Sequence, residues 1–123
     1  MKEIEYYTSK TGFNAVFRDW QLKALEAVWA SPKGAKSLIV HQKVSQALEG
    51  ETISRASVIN FLEDMREMGV LSGVEESGKG GYHWVYSPKL DEAGFKSFIV
   101  EKMLNSIMDS FPEETREAIK KLG

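Results

Sequence analysis

Residues 53–71 read ISRASVINFLEDMREMGVL, and the fold follows from how this stretch is divided. Val58, Phe61, Leu62 and Met65 stand at i, i+3, i+4 and i+7, the spacing of one buried helix face. Ser54 occupies the N-cap position, where its hydroxyl can accept from a free N–H of the first turn. Gly69 follows the last turn, where a C-cap glycine belongs. The spacing therefore predicts a helix over about residues 55–68. At roughly 100° per residue the opposite face carries Ala56, Asn60, Glu63 and Glu67, with Ser57 and Ile59 beside it and Arg55 on the first turn. The N-terminal half of that face is small and polar with one cation. The C-terminal half is acidic, through Glu63, Asp64 and Glu67. A helix that enters a DNA major groove end-on has this distribution, because only its first turns approach the phosphates. An amphipathic helix with a merely solvated outer face has it too, so its neighbours must decide.

Upstream, Phe17, Trp20, Ala24 and Val28, with Leu22, Leu25 and Trp29, make a broad apolar face on a first helix, about residues 19–30. Asp19 is its cap or first-turn anion. Trp20 and Trp29 sit on the stripe and read as core, not as a ligand platform. Ser31-Pro32-Lys33-Gly34 breaks the chain. A second helix spans about residues 37–48, with Leu38, Ile39, Val44, Ala47 and Leu48 as its apolar side and Gly50 ending it. The link to the third helix is a few residues, so the pair reads as a helix-turn-helix whose second member is the reader.

Downstream, residues 71–76 and 82–86 have strand character around Ser77-Gly78-Lys79-Gly80-Gly81, which reads as a β-hairpin closed by Pro88. Tyr82, Trp84 and Tyr86 share one face of the second strand; His83 and Val85 share the other. Three helices followed by a hairpin is the order of a winged-helix domain, mainly α with a small β-hairpin wing (α+β). Lys79 would sit among glycines at the wing tip. The glycines lie between two strands and no G-x-x-x-x-G-K-[ST] pattern is present, so they supply turn conformations and not a nucleotide loop.

From residue 91 the chain is helical. Phe95, Phe98, Ile99, Met103, Ile107 and Phe111 recur at helical spacing, with Val100, Leu104 and Met108 beside them. That is more apolar surface than one helix should leave in water. It either folds back on the domain or forms a dimer seam. We read Phe95, Ile99, Met103, Ile107 and Phe111 as a seam, since residues 17–88 already supply a core. Pro112 and the two glutamates after it restart a last short helix. The organisation expected is an N-terminal extension over 1–16, a winged helix-turn-helix over 17–89 and a helical dimerisation region over 90–123.

Composition narrows the function. The 123 residues contain no cysteine, which excludes disulfides, thiolate metal sites and a cysteine nucleophile. The two histidines lie on separate elements without an acid–base partner, and His41 has no second ligand at metal spacing. No enzyme, metal or cofactor is expected. No apolar run approaches transmembrane length and the N-terminus lacks an apolar signal core, so the expected location is cytoplasmic. With 16 Lys and Arg against 18 Asp and Glu the net charge is −2, and no segment is strongly basic. That counts against duplex binding, which normally leaves a basic footprint. A small reading domain can still place a few cations locally, and a dimer doubles them.

Taken with the residues quoted, the order of elements resembles the penicillinase-repressor family of winged-helix transcription regulators. The likeness covers about residues 17–122 and rests most on Ala56-Ser57-Val58, Leu62, Gly69-Val70-Leu71 and Val85-Tyr86-Ser87-Pro88. It implies a homodimer held by C-terminal helices, each winged domain binding half of a palindromic operator, usually to repress. By position it puts Ser54, Arg55, Ala56, Ser57 and Asn60 on the reading helix and Lys79, Gly80, Gly81, Tyr82 and His83 on the wing. The sequence departs from the family at Phe17-Arg18-Asp19, where a Thr or Gly-Pro start is usual, in its N-terminal extension, and in lacking the cysteines of copper-responsive members. The competing reading is a winged-helix module that binds protein and not DNA, favoured by the near-neutral charge and the acidic end of the reading helix. A small-molecule effector bound near the C-terminal helices would modify the first reading without replacing it.

Overall fold

The computed structural model describes residues 3–78 and 81–123. After a 3-10 turn at Gly12–Ala15, the elements are α1 (Asp19–Trp29), β1 (Ala35–Lys36), α2 (Ser37–Ala47), α3 (Arg55–Glu67), β2 (Leu71–Gly78), β3 (Gly81–Pro88), α4 (Glu92–Ser110) and α5 (Pro112–Leu122). This is a mainly helical α+β chain: three helices, a hairpin wing, then two C-terminal helices. The sheet is antiparallel in the order β1-β3-β2. β1 is a two-residue strand that the sequence does not announce. It pairs Ala35 with Tyr86 and Lys36 with Val85, fastening the start of α2 to the wing. Gly34 just before it has φ +113°, and a Cβ there would collide with Val85 Cγ1, so only glycine lets the chain approach β3.

The ends of α3 form as the sequence predicts. Ser54 Oγ accepts from Ser57 N–H at 3.1 Å, a cap worth about 1 kcal/mol. At the other end Gly69 (φ +83°) donates to the Arg66 carbonyl at 3.1 Å and Val70 to Met65 at 2.9 Å. That doubly bonded turn satisfies the last carbonyls and sends the chain directly into β2. The first helix solves its cap differently: the Gln21 side chain accepts from Arg18 N–H at 2.9 Å.

The core is built from Leu25 and Val28 of α1, Val40 and Val44 of α2, Val58, Leu62 and Met65 of α3, and Val70, Leu71 and Tyr86 at the base of the wing. Two expectations need correction. On α2 the inward residues are Val40 and Val44, whereas Leu38 and Ile39 are exposed. Because the helix starts straight from β1, its phase is fixed by that pairing. Within residues 1–16, Ala15 and Val16 are buried and Phe13 packs against the core. Finally, Phe95 and Ile99 belong to the chain's own core, at 0% and 8% exposure, and are not available as a dimer seam. Phe95 stacks on Phe17 (5.5 Å between centroids) and Phe13 (5.8 Å), and packs tilted against Trp29 at 6.0 Å. Trp29 Nε1 donates to the Leu90 carbonyl at 3.1 Å, pinning the entry to α4 against α1. An aromatic pocket left open by the three helices is thus filled by the first two turns of α4.

Beyond Ile99 the situation changes. Met103 is partly buried against the core, but Val100, Leu104 and Ile107 on α4 are exposed, with Phe111 at its end. α5 is joined tightly to the end of α4: Thr115, buried, donates its hydroxyl to the Phe111 carbonyl at 2.6 Å. Its own apolar residues Ile119 and Leu122 face outward, Leu122 at 89% exposure. No helix among the described residues is long and apolar enough to cross a membrane.

Candidate nucleic-acid interface

The capped N-terminus of α3 presents Ser54, Arg55, Ala56 and Asn60 exposed, with Ser57 half-buried. The side chains differ in freedom. Ser54 and Ser57 hold each other, Oγ to Oγ at 2.8 Å, while Ser54 also caps the helix. Ser57 and Asn60 border a shallow groove whose other wall is Trp20 and Gln21 on α1. Trp20 meets Phe61 edge-on at 5.6 Å, so it forms part of the wall and is held by the core, as its place on the apolar stripe predicts. The turn before α3 is braced by His41, whose Nε2 lies 2.8 Å from the Ile53 carbonyl and in this contact donates to it. That occupies His41 structurally. Lys36, immediately before α2, and Lys43 within it add exposed cations on the neighbouring element.

On the wing, Lys79 and Gly80 lie outside the described residues. Gly81 and Tyr82 open β3, paired with Gly78 and Ser77. The ring of His83 is half-buried, with Nε2 lacking a hydrogen bond and 3.8 Å from Glu76 Oε2 on the facing strand. His83 therefore faces a carboxylate across the hairpin.

Within the acidic half of α3, Glu67 is exposed but Glu63 is not. Glu63 is turned toward the wing and only 26% of its side chain is exposed. Its Oε1 accepts from Tyr86 OH at 3.0 Å and its Oε2 from Arg66 Nε at 2.7 Å. The Arg66 guanidinium lies over the Trp84 ring, 4.8 Å from the centroid. A Cβ on Gly73 would strike Arg66 Cδ and come to 3.2 Å from Trp84, so the glycine in mid-strand leaves the space for this stack. Burial first, then the hydrogen bond to Glu63, hold the Tyr86 phenol well above its ordinary range. Glu63 thus ties the third turn of α3 directly to β3, and the Arg66 it holds lies against Gly73 of β2 and Trp84 of β3. The sequence holds a faint signal of it: an i,i+3 Glu–Arg pair, a glycine inside a strand and two aromatics alternating opposite it.

Among the described residues no group of three His, Asp or Glu is placed to hold a metal. Comparison of the chain with protein-family models, with curated proteins and with solved structures gives no match.

Proposed function

We propose that the protein is a sequence-specific DNA-binding transcriptional regulator, acting as a repressor, that binds a palindromic operator as a homodimer. The observation that carries the reading is the exposed N-terminal end of α3, with Arg55, Ala56 and Asn60 around a capped helix start, on a helix-turn-helix followed by a hairpin wing. Asn pairs bidentately with adenine and Arg with guanine. Ser57 reaches a base or a phosphate, and the Ala56 methyl leaves room for close approach and contact with thymine. The positive end of the helix dipole faces the backbone in an end-on approach. The inward turn of Glu63 supports this geometry by removing one carboxylate from the face that meets DNA. The wing segment from Lys79 to His83 supplies the flanking contact, in keeping with the resemblance to the penicillinase repressors.

The homodimer is supported by the exposed stripe Val100, Leu104 and Ile107 on α4 with Phe111 at its end, continued by Ile119 and Leu122 on α5. A second copy of the same chain is the occupant, since a symmetric operator requires two reading helices related by a twofold axis. A different observation favours the protein-binding module: Leu38 and Ile39 are exposed on α2 in a chain of net charge −2. Selection from a random duplex pool with the purified chain separates the two. The regulator enriches a palindrome with half-sites about one helical turn apart, or a multiple of it, and its binding weakens steeply with salt. A protein-binding module enriches nothing.

A further inference from the structure

We propose that Glu63, Tyr86 and Arg66 are positioning residues for duplex binding: they set the angle between α3 and the wing without touching DNA. The inference rests on the DNA-binding reading above. Beyond Gly73 and Tyr86 the hairpin runs five more residues per strand, an arm of about 17 Å, so a 10° rotation there moves its end by about 3 Å, the length of a hydrogen bond. Two features anchor the hairpin there. One is the pairing of β1 with β3, at Tyr86 and Val85. The other is the network around Glu63. Its carboxylate uses both oxygens, one for β3 through Tyr86 and one for Arg66, and Arg66 fills the notch between Gly73 of β2 and Trp84 of β3. Apolar packing of a Tyr86 ring would bury the same surface with a phenylalanine. What the hydroxyl, carboxylate and guanidinium add is direction, because charge-assisted hydrogen bonds hold one geometry where apolar contacts tolerate several. The network also gives a reason for an anion in the third turn of a helix that approaches phosphates. When α3 and the wing are held at a fixed angle, engaging one presents the other at high effective concentration.

The test is duplex affinity of the full-length chain across a salt series, with Tyr86→Phe, Glu63→Gln and the double variant, beside thermal melting of each. Tyr86→Phe changes no charge. It is expected to lower affinity about tenfold and the salt slope by about one unit, as the wing's phosphate contact is lost, with melting little changed. Glu63→Gln removes a negative charge near DNA, so electrostatics alone would tighten binding; the brace makes it weaker. The double variant binds no worse than the weaker single, since both cut the same link. Unfolding of part of the sample lowers the active fraction and leaves the slope unchanged, so weaker binding with an unaltered slope overturns the proposal. Unchanged affinity in Tyr86→Phe, or tighter binding in Glu63→Gln, overturns it too. If the wild-type chain binds no duplex at low salt, the DNA-binding reading fails, and this inference with it.

Discussion

Replacing Phe95 by Ala separates the two halves of α4. Phe95 is fully buried and its ring meets Phe13, Phe17, Trp29 and Phe98, all with centroids 5.5 to 6.0 Å away. Truncating a fully buried phenylalanine costs about 3–5 kcal/mol, and the rigid rings around it cannot collapse into the space, which puts the value near 4 kcal/mol. Against a total of about 5–15 kcal/mol that is a large share of the stability. In urea it moves the midpoint down by roughly 2 M, and in a thermal melt by roughly 15 °C. Phe111, 62% exposed, is the control: Phe111→Ala is expected to change the unfolding of a dilute sample by less than about 1 kcal/mol. The assay is urea unfolding followed by circular dichroism at two protein concentrations. A loss of core packing gives the same shift at both. If Phe95→Ala costs less than about 1 kcal/mol in dilute sample and its effect grows with concentration, Phe95 lies in a seam between chains and the placement of α4 is wrong.

Ile107→Glu puts a charge in the exposed stripe of α4 and is expected to leave a folded monomer, whereas the wild type sediments as a dimer at micromolar concentration. A wild-type monomer under those conditions refutes the proposed dimer. Alkaline stability reports the brace. The folded chain raises the Tyr86 pKa above its ordinary 10.0, so it holds this proton more tightly than the unfolded chain. That contribution is fully present below about pH 10 and is lost as pH rises above it, by about 1.4 kcal/mol per pH unit, as the unfolded tyrosine ionises. The stability of wild type relative to Tyr86→Phe is therefore constant up to about pH 9 and falls as pH rises above about 10; a difference that stays constant above about pH 10 refutes the buried, hydrogen-bonded phenol.

Local signals carried most of the fold. Ser54 and Gly69 mark the ends of α3 because capping chemistry is written in the capping residues themselves. The apolar run 58–65 faces inward because its period matches the helix. The readings that failed depend on tertiary partners. The periodicity of Phe95, Ile99, Ile107 and Phe111 is continuous in sequence, but the three-helix body covers only the first two, and no pattern on α4 says where the body ends. Leu38 and Ile39 look as apolar as Val40 and Val44; the pairing of β1, invisible as two residues, decides which pair turns inward. Phe13 packs on Trp29 of α1 and Phe95 of α4, contacts that no local pattern announces. At the candidate site the exposed start of α3 was legible from spacing. The inward turn of Glu63 was not, since it depends on the register that sets Gly73 opposite Tyr86.

Asn60→Ala asks whether the N-terminal end of α3 reads bases. Asn60 is exposed on that end, and removing its amide leaves the fold and the charge unchanged. Binding of wild type and variant is measured at one fixed salt, to the selected operator and to a random duplex. The expected result is a loss of roughly 1–3 kcal/mol on the operator and little on random DNA. An equal loss on both would make Asn60 a backbone contact, and no loss on either would contradict base reading by this helix.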